Sequence, residues 1–142
     1  MRSARGAAPP LLLLLAAGCA YVPTRLSLRA PSRALVGRAV ADALAREFPG
    51  LEERDAEGGR FVSKPRPDPL DPRARLRGYV RLLPGRAEGA PFELEVSVAR
   101  ERLYPFPGKS PSWRAREADR RHEARLASEI ERALSRLSTD GP

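Results

Sequence analysis

Phe92-Glu93-Leu94-Glu95-Val96-Ser97-Val98 alternates apolar and polar residues without a break. Successive strand side chains point to opposite faces, so Phe92, Leu94, Val96 and Val98 share a buried face, while Glu93, Glu95 and Ser97 face outward. A sheet with one apolar and one polar face needs a cover on the first only, and helices supply it in an α+β domain.

Upstream, Leu76-Arg77-Gly78-Tyr79-Val80-Arg81-Leu82 repeats the period, with positions 76, 78, 80 and 82 on one face. Gly78 among them predicts a close approach by the first helix. Arg77, Tyr79 and Arg81 point outward, opposite in charge to Glu93 and Glu95. Such facing pairs favour the pairing of these two strands by roughly 0.2–1 kcal/mol each. Residues 83–91 form a long hairpin loop between them, a natural contact point at a sheet tip. The second strand runs on to Tyr104 through Arg100, Glu101 and Arg102, and Pro105-Phe106-Pro107-Gly108 breaks it.

Two segments carry a helical period. Leu35, Val36, Ala39, Val40, Ala43, Leu44 and Phe48 recur at three and four residues; Ser32 is the expected N-cap and Pro49-Gly50 the stop. The last helix is expected to open at Ser110-Pro111, with its apolar stripe at Leu126, Ile130, Ala133, Leu134 and Leu137 and its charged early turns, 114–125, projecting beyond the sheet or lying on solvent. Weaker signals fill the remainder. Arg25-Leu26-Ser27-Leu28-Arg29 reads as a short edge strand or a tether, Gly58-Gly59 as a turn before a strand at 60–64, and the proline-rich 65–72 as a loop or an extended connection. The expected order is β-α-β-β-β-α, an α+β two-layer sandwich with two helices packed on one face of a small antiparallel sheet.

The N-terminus carries an address. Arg2 and Arg5 precede an apolar run, Leu11-Leu12-Leu13-Leu14-Leu15, that ends in Ala16-Ala17-Gly18-Cys19. This is the layout of a secretory signal, too short to span a bilayer. Small residues directly before a Cys resemble the bacterial lipobox, with Ala16 where that box usually has Leu. The resemblance implies cleavage before Cys19, lipidation of its thiol and acylation of its new amino terminus; two or three acyl chains hold a protein on a membrane almost permanently. No Asp follows Cys19, which by the same resemblance favours the outer membrane, with the chain facing the periplasm. The expected division is residues 1–18 as lipoprotein signal peptide, 19–31 as lipidated Cys and tether or short edge strand, 32–138 as a single α+β domain, and 139–142 as a C-terminal tail.

Composition adds a basic balance, +8 over the whole chain. Such a charge suits anionic partners such as lipid head groups, and export removes nucleic acid from the expected partners. Of the 26 basic residues only Lys64 and Lys109 are lysines, as a GC-rich genome would also produce. No catalytic constellation is legible. The single histidine, His122, has no second His or free Cys to share a metal with and reads as a surface residue. Gly58-Gly59 lacks the following Lys of a phosphate-cradling loop. The expectation is a non-enzyme with no cofactor and no metal.

The whole arrangement resembles the outer-membrane lipopolysaccharide-assembly lipoprotein family, LptE. The likeness is carried by Cys19-Ala20-Tyr21, the helix 34–48, the strands near 76–83 and 92–103, Arg102-Leu103-Tyr104, and the helix 123–137. The resemblance implies an outer-membrane β-barrel partner (LptD-like) and lipopolysaccharide delivery to the outer leaflet. It makes Arg81, Arg86, Arg100 and Arg102 the contacts expected for lipid A phosphates or the barrel wall, since Arg binds phosphate bidentately. Two other readings are an auxiliary lipoprotein of a periplasmic lipid-trafficking ABC system and a structural envelope lipoprotein without ligand.

Overall fold

A computed structural model describes residues 22–140. The expected signal peptide and Cys19 lie outside them. The alternating segment at 92–98 becomes part of the long central strand β6 (Phe92–Phe106), paired antiparallel with β5 (Asp71–Leu82) from Ala74↔Arg102 to Leu82↔Leu94. Arg81 lies directly opposite Glu95 in that register, and their side chains meet at 3.1 Å.

Each central strand is flanked on its outer side by two short strands laid end to end. Beside β6 run β1 (Thr24–Leu28), opposite Phe92 to Val96, and β7 (Lys109–Ala118), opposite Ala99 to Phe106. Beside β5 run β3 (Arg60–Ser63) and β4 (Arg66–Asp68). The edge strand β2 (Leu51–Asp55) pairs with β3 and completes an antiparallel sheet of seven strands.

Two helices cover one face. Helix α1 (Arg33–Glu47) starts where Ser32 accepts the Leu35 N–H at 3.2 Å, which satisfies one of the first-turn donors left without an intrahelical partner. The guanidinium of Arg66 on β4 donates to the Glu47 carbonyl at 3.0 Å and answers the opposite end of its dipole. Helix α2 (Arg120–Thr139) carries Leu126, Ile130, Ala133 and Leu134 to the core. These meet Leu26, Leu28, Leu76, Val80, Leu82, Leu94, Val96 and Val98 from the sheet.

The C-terminal end of α1 comes close to the sheet at Gly78. A Cβ there would lie 2.8 Å from the Phe48 ring and 3.0 Å from the Leu44 side chain, so a larger residue would have to displace them. Gly59 turns the chain into β3 with φ of 75°, a left-handed conformation open to glycine.

The α+β two-layer sandwich with both helices on one face is therefore the observed fold, with more strands than the periodicity marked. Two local expectations are corrected. Ser110-Pro111 does not open a helix: it lies in β7, and the helix begins ten residues later, capped by Asp119, whose carboxylate accepts the His122 N–H at 3.0 Å. The cause is backbone pairing with β6, which a strand can form with little apolar burial of its own. The proline-rich stretch is not all loop either. Pro67 sits in β4, a three-residue strand, where a missing N–H is tolerated at a sheet edge.

Candidate functional site

Three parts of the surface carry chemistry: the point where the chain enters the fold, the open face of the sheet, and the stretch of β6 that carries Arg100 and Arg102.

The entry point is built by the first turn of α2. Glu123 is fully buried; its Oε1 accepts the Thr24 N–H at 3.0 Å and also the Thr24 hydroxyl. Arg120 closes the group, donating to Glu123 at 2.9 Å and to the Val22 carbonyl at 2.8 Å. Glu123 Oε2 is buried without a hydrogen-bond partner, and burial pushes its carboxyl above the ordinary range. The chain is thus tied down from Val22 onward, in the gap along β6 between the start of β1 and the end of β7. In that gap Val98 O accepts the Asp119 N–H at 2.8 Å.

Neither helix covers the other face of the sheet, and charge is its organising feature. Glu101, nearly buried, accepts from Arg75 at 2.6 Å and Arg77 at 2.9 Å, and Arg77 reaches on to Glu52. The Arg75 guanidinium also stacks on Trp113, 4.2 Å from the ring centroid. Farther along the same face, Glu95 is shared by Arg25 and Arg81, each at 3.1 Å.

Between these clusters stands Tyr79, its phenol pushed above the ordinary value by burial and by the Glu101 carboxylate. Shallow depressions flank it. One of about 240 Å³ is lined by Pro23, Val62, Arg81 and Ser97 among others, and one of about 330 Å³ by Ala99, Ala115 and Glu117. A face of paired charges around a tyrosine offers hydrogen bonds and a flat contact area.

The structure separates the four arginines named from sequence. Arg81 lies on the open face, and Arg86 lies in the 83–91 loop with its guanidinium 4.1 Å from the Phe92 ring centroid. Arg100 and Arg102 occupy the opposite face of β6. Arg100 is held by Asp119 at 2.9 Å, Asp68 at 3.0 Å and Glu117 at 3.2 Å, while Arg102 is about half exposed with Asp71 at 3.7 Å. They do not converge on one site. Three carboxylates raise the pKa of Arg100 against the burial that would lower it, so its charge is answered within the fold.

His122 also differs from the surface reading. Its ring is only partly exposed and lies 3.0 Å from Asp119. Burial alone would raise Asp119; the His122 backbone N–H, the His122 ring and Arg100 outweigh it and hold that carboxyl below its usual range.

Sequence reading passed over Glu123, Arg120, Glu101 and Trp113. For Glu123 a signal exists, because it shares the stripe of Leu126 and Ile130, and an acid on an apolar stripe marks a buried carboxylate. Among the described residues no group of three or more His, Cys, Asp or Glu is placed to hold a metal ion, and no helix is long and apolar enough to cross a membrane. Comparison with family models, curated proteins and solved structures gives no match to this chain.

Proposed function

We propose that this chain is a non-enzymatic lipoprotein of the bacterial outer membrane, facing the periplasm, that assists envelope assembly as an LptE-like partner of a β-barrel in moving lipopolysaccharide to the outer leaflet. The observation that carries the reading is the apolar run ending in Ala16-Ala17-Gly18-Cys19, followed so soon by a folded chain. Val22 is already held by Arg120, so lipid on Cys19 would keep the domain at the membrane surface. The open sheet face supports the reading as well: it is broad, charged and uncovered by either helix, as suits a helper that docks on another protein.

Of the arginines expected to meet lipid A phosphates or the barrel wall, Arg100 already has its carboxylates. Arg81, Arg86 and Arg102 are the exposed candidates. The test is affinity recovery of the full-length chain from membranes in mild detergent. Co-purification of a large β-barrel protein is the expected result. Recovery of an inner-membrane transport complex would replace this function with the auxiliary-lipoprotein one, and recovery of no partner would leave a structural envelope protein.

A further inference from the structure

The two long edges of the sheet differ in charge. At one edge, β2 (Leu51-Glu52-Glu53-Arg54-Asp55) and the short β4 (Arg66-Pro67-Asp68) together carry four acids and two bases, with all three acids of β2 exposed. At the other, β1 and β7 lie end to end along β6, and Arg25, Arg29, Lys109 and Arg114 are all exposed there. Arg120, at the start of α2, is more than half exposed beside the same edge. Glu117 is the exposed acid of β7.

Basic residues and Pro111 on an edge strand also discourage strand-to-strand association. Either sign of charge would serve that purpose, and β2 uses the other sign. The contrast between the edges therefore calls for a second cause.

Position supplies one. The chain leaves the fold at Val22, in the gap between β1 and β7, where Arg120 holds the Val22 carbonyl at 2.8 Å. Cys19 precedes Val22 by three residues, which span at most about 10 Å. A lipid on Cys19 brings this basic edge to the bilayer, and the acidic β2 edge, on the far side of the sheet, is the one turned away.

We propose that the β1–β7 edge rests on an anionic phospholipid head-group layer, with β7 as the contacting strand and lipidated Cys19 as the pivot. This rests on the lipoprotein reading above. Each Lys or Arg close to such a surface strengthens partitioning by about fivefold, an effect screened by salt. Trp113, the chain's single tryptophan, lies on β7 and is 37% exposed, and indole is at home at the level of lipid head groups.

Trp113 makes the proposal directly measurable. The full-length chain, purified from membranes with its anchor, is reconstituted on phosphatidylcholine vesicles with and without phosphatidylglycerol. Flotation reports the anchor, and quenching of Trp113 fluorescence by a head-group spin-labelled lipid reports the edge. The expected result is flotation with both vesicles and quenching several-fold stronger on the anionic ones. That excess should disappear in high salt and in the Lys109→Glu/Arg114→Glu variant, and persist in Arg54→Glu on the opposite edge.

Flotation with equal or absent quenching on the two vesicles overturns the edge proposal and leaves the anchor standing. Failure to float on either vesicle takes down both. Trp113 shielded from aqueous quencher in native membranes, yet unquenched by lipid in vesicles, assigns the edge to a protein and overturns the proposal.

Discussion

Glu123 accepts the backbone N–H of Thr24 at 3.0 Å, although 99 residues separate the two in the chain. The contact joins the first strand to the last helix and fixes where the N-terminal segment meets the fold. It places a carboxylate in a fully buried position, with one oxygen bonded and the other unpartnered.

Glu123 is therefore expected to give the fold a distinctive pH dependence. Burial raises its pKa in the folded state. A carboxyl raised on folding contributes stability that is fully present below its unfolded pKa, about 4.3, and is lost as pH rises through the folded value. Wild type should thus lose stability relative to Glu123→Gln on going from about pH 4 to about pH 7. Urea unfolding of both proteins at the two pH values checks this; a difference that does not change with pH contradicts it. Glu123→Ala leaves the Thr24 N–H without its acceptor and should cost about 1–3 kcal/mol.

Asp119 has the opposite sign. Its lowered pKa means stability present above the unfolded carboxylate value and lost as pH falls through the folded one. Asp119→Ala removes the N-cap of α2 and an Arg100 partner, an expected loss of about 2 kcal/mol at neutral pH. Asp119→Asn keeps the cap oxygen and should lose less. In acid, below the folded value, wild type and the Asn variant should converge, as thermal melts across the acid range would show.

Gly78→Ala tests the closeness of α1 to the sheet. Its Cβ would press on the Phe48 ring at 2.8 Å, and overpacking of this kind costs about 1–3 kcal/mol. Trimming the ring with Phe48→Leu in the Gly78→Ala background should recover part of the loss. Strictly additive losses in a double-mutant cycle would show that the two positions do not touch.

Glu101→Ala should be among the most damaging changes on the open face. It takes from Arg75 its carboxylate partner and leaves Arg77 with Glu52 alone, and removing one partner from a largely buried ion pair costs up to about 3–5 kcal/mol. Denaturant midpoints for Glu101→Ala against the exposed control Glu53→Ala give the comparison, and equal midpoints contradict it.

The central layer was legible in the sequence because period two survives wherever one face is buried. Phe92 to Val98 and Leu76 to Leu82 alternate for that reason, and α1 shows its stripe and its Ser32 cap for the same one. β7 was not legible. Most of its side chains are exposed, so no apolar alternation appears in Lys109-Ser110-Pro111-Ser112-Trp113, and Ser-Pro imitates a helix start. β2 and β4 escaped likewise: they are short edge segments held by backbone hydrogen bonds, with little apolar burial. The arginines were legible as exposed charge, but not their partners. Asp68 and Asp119, which answer Arg100, arrive from a strand and a helix cap that periodicity did not mark.

The proposed function stands on lipid at Cys19 as the first residue of the mature chain. The direct measurement is the mass of the N-terminal peptide of the protein isolated from bacterial membranes. The expected result is a peptide that starts at Cys19 and bears a diacylglyceryl group on sulfur and an acyl group on its amino terminus, with no such species from Cys19→Ala. A mature chain that starts elsewhere, or at an unmodified Cys19, contradicts it.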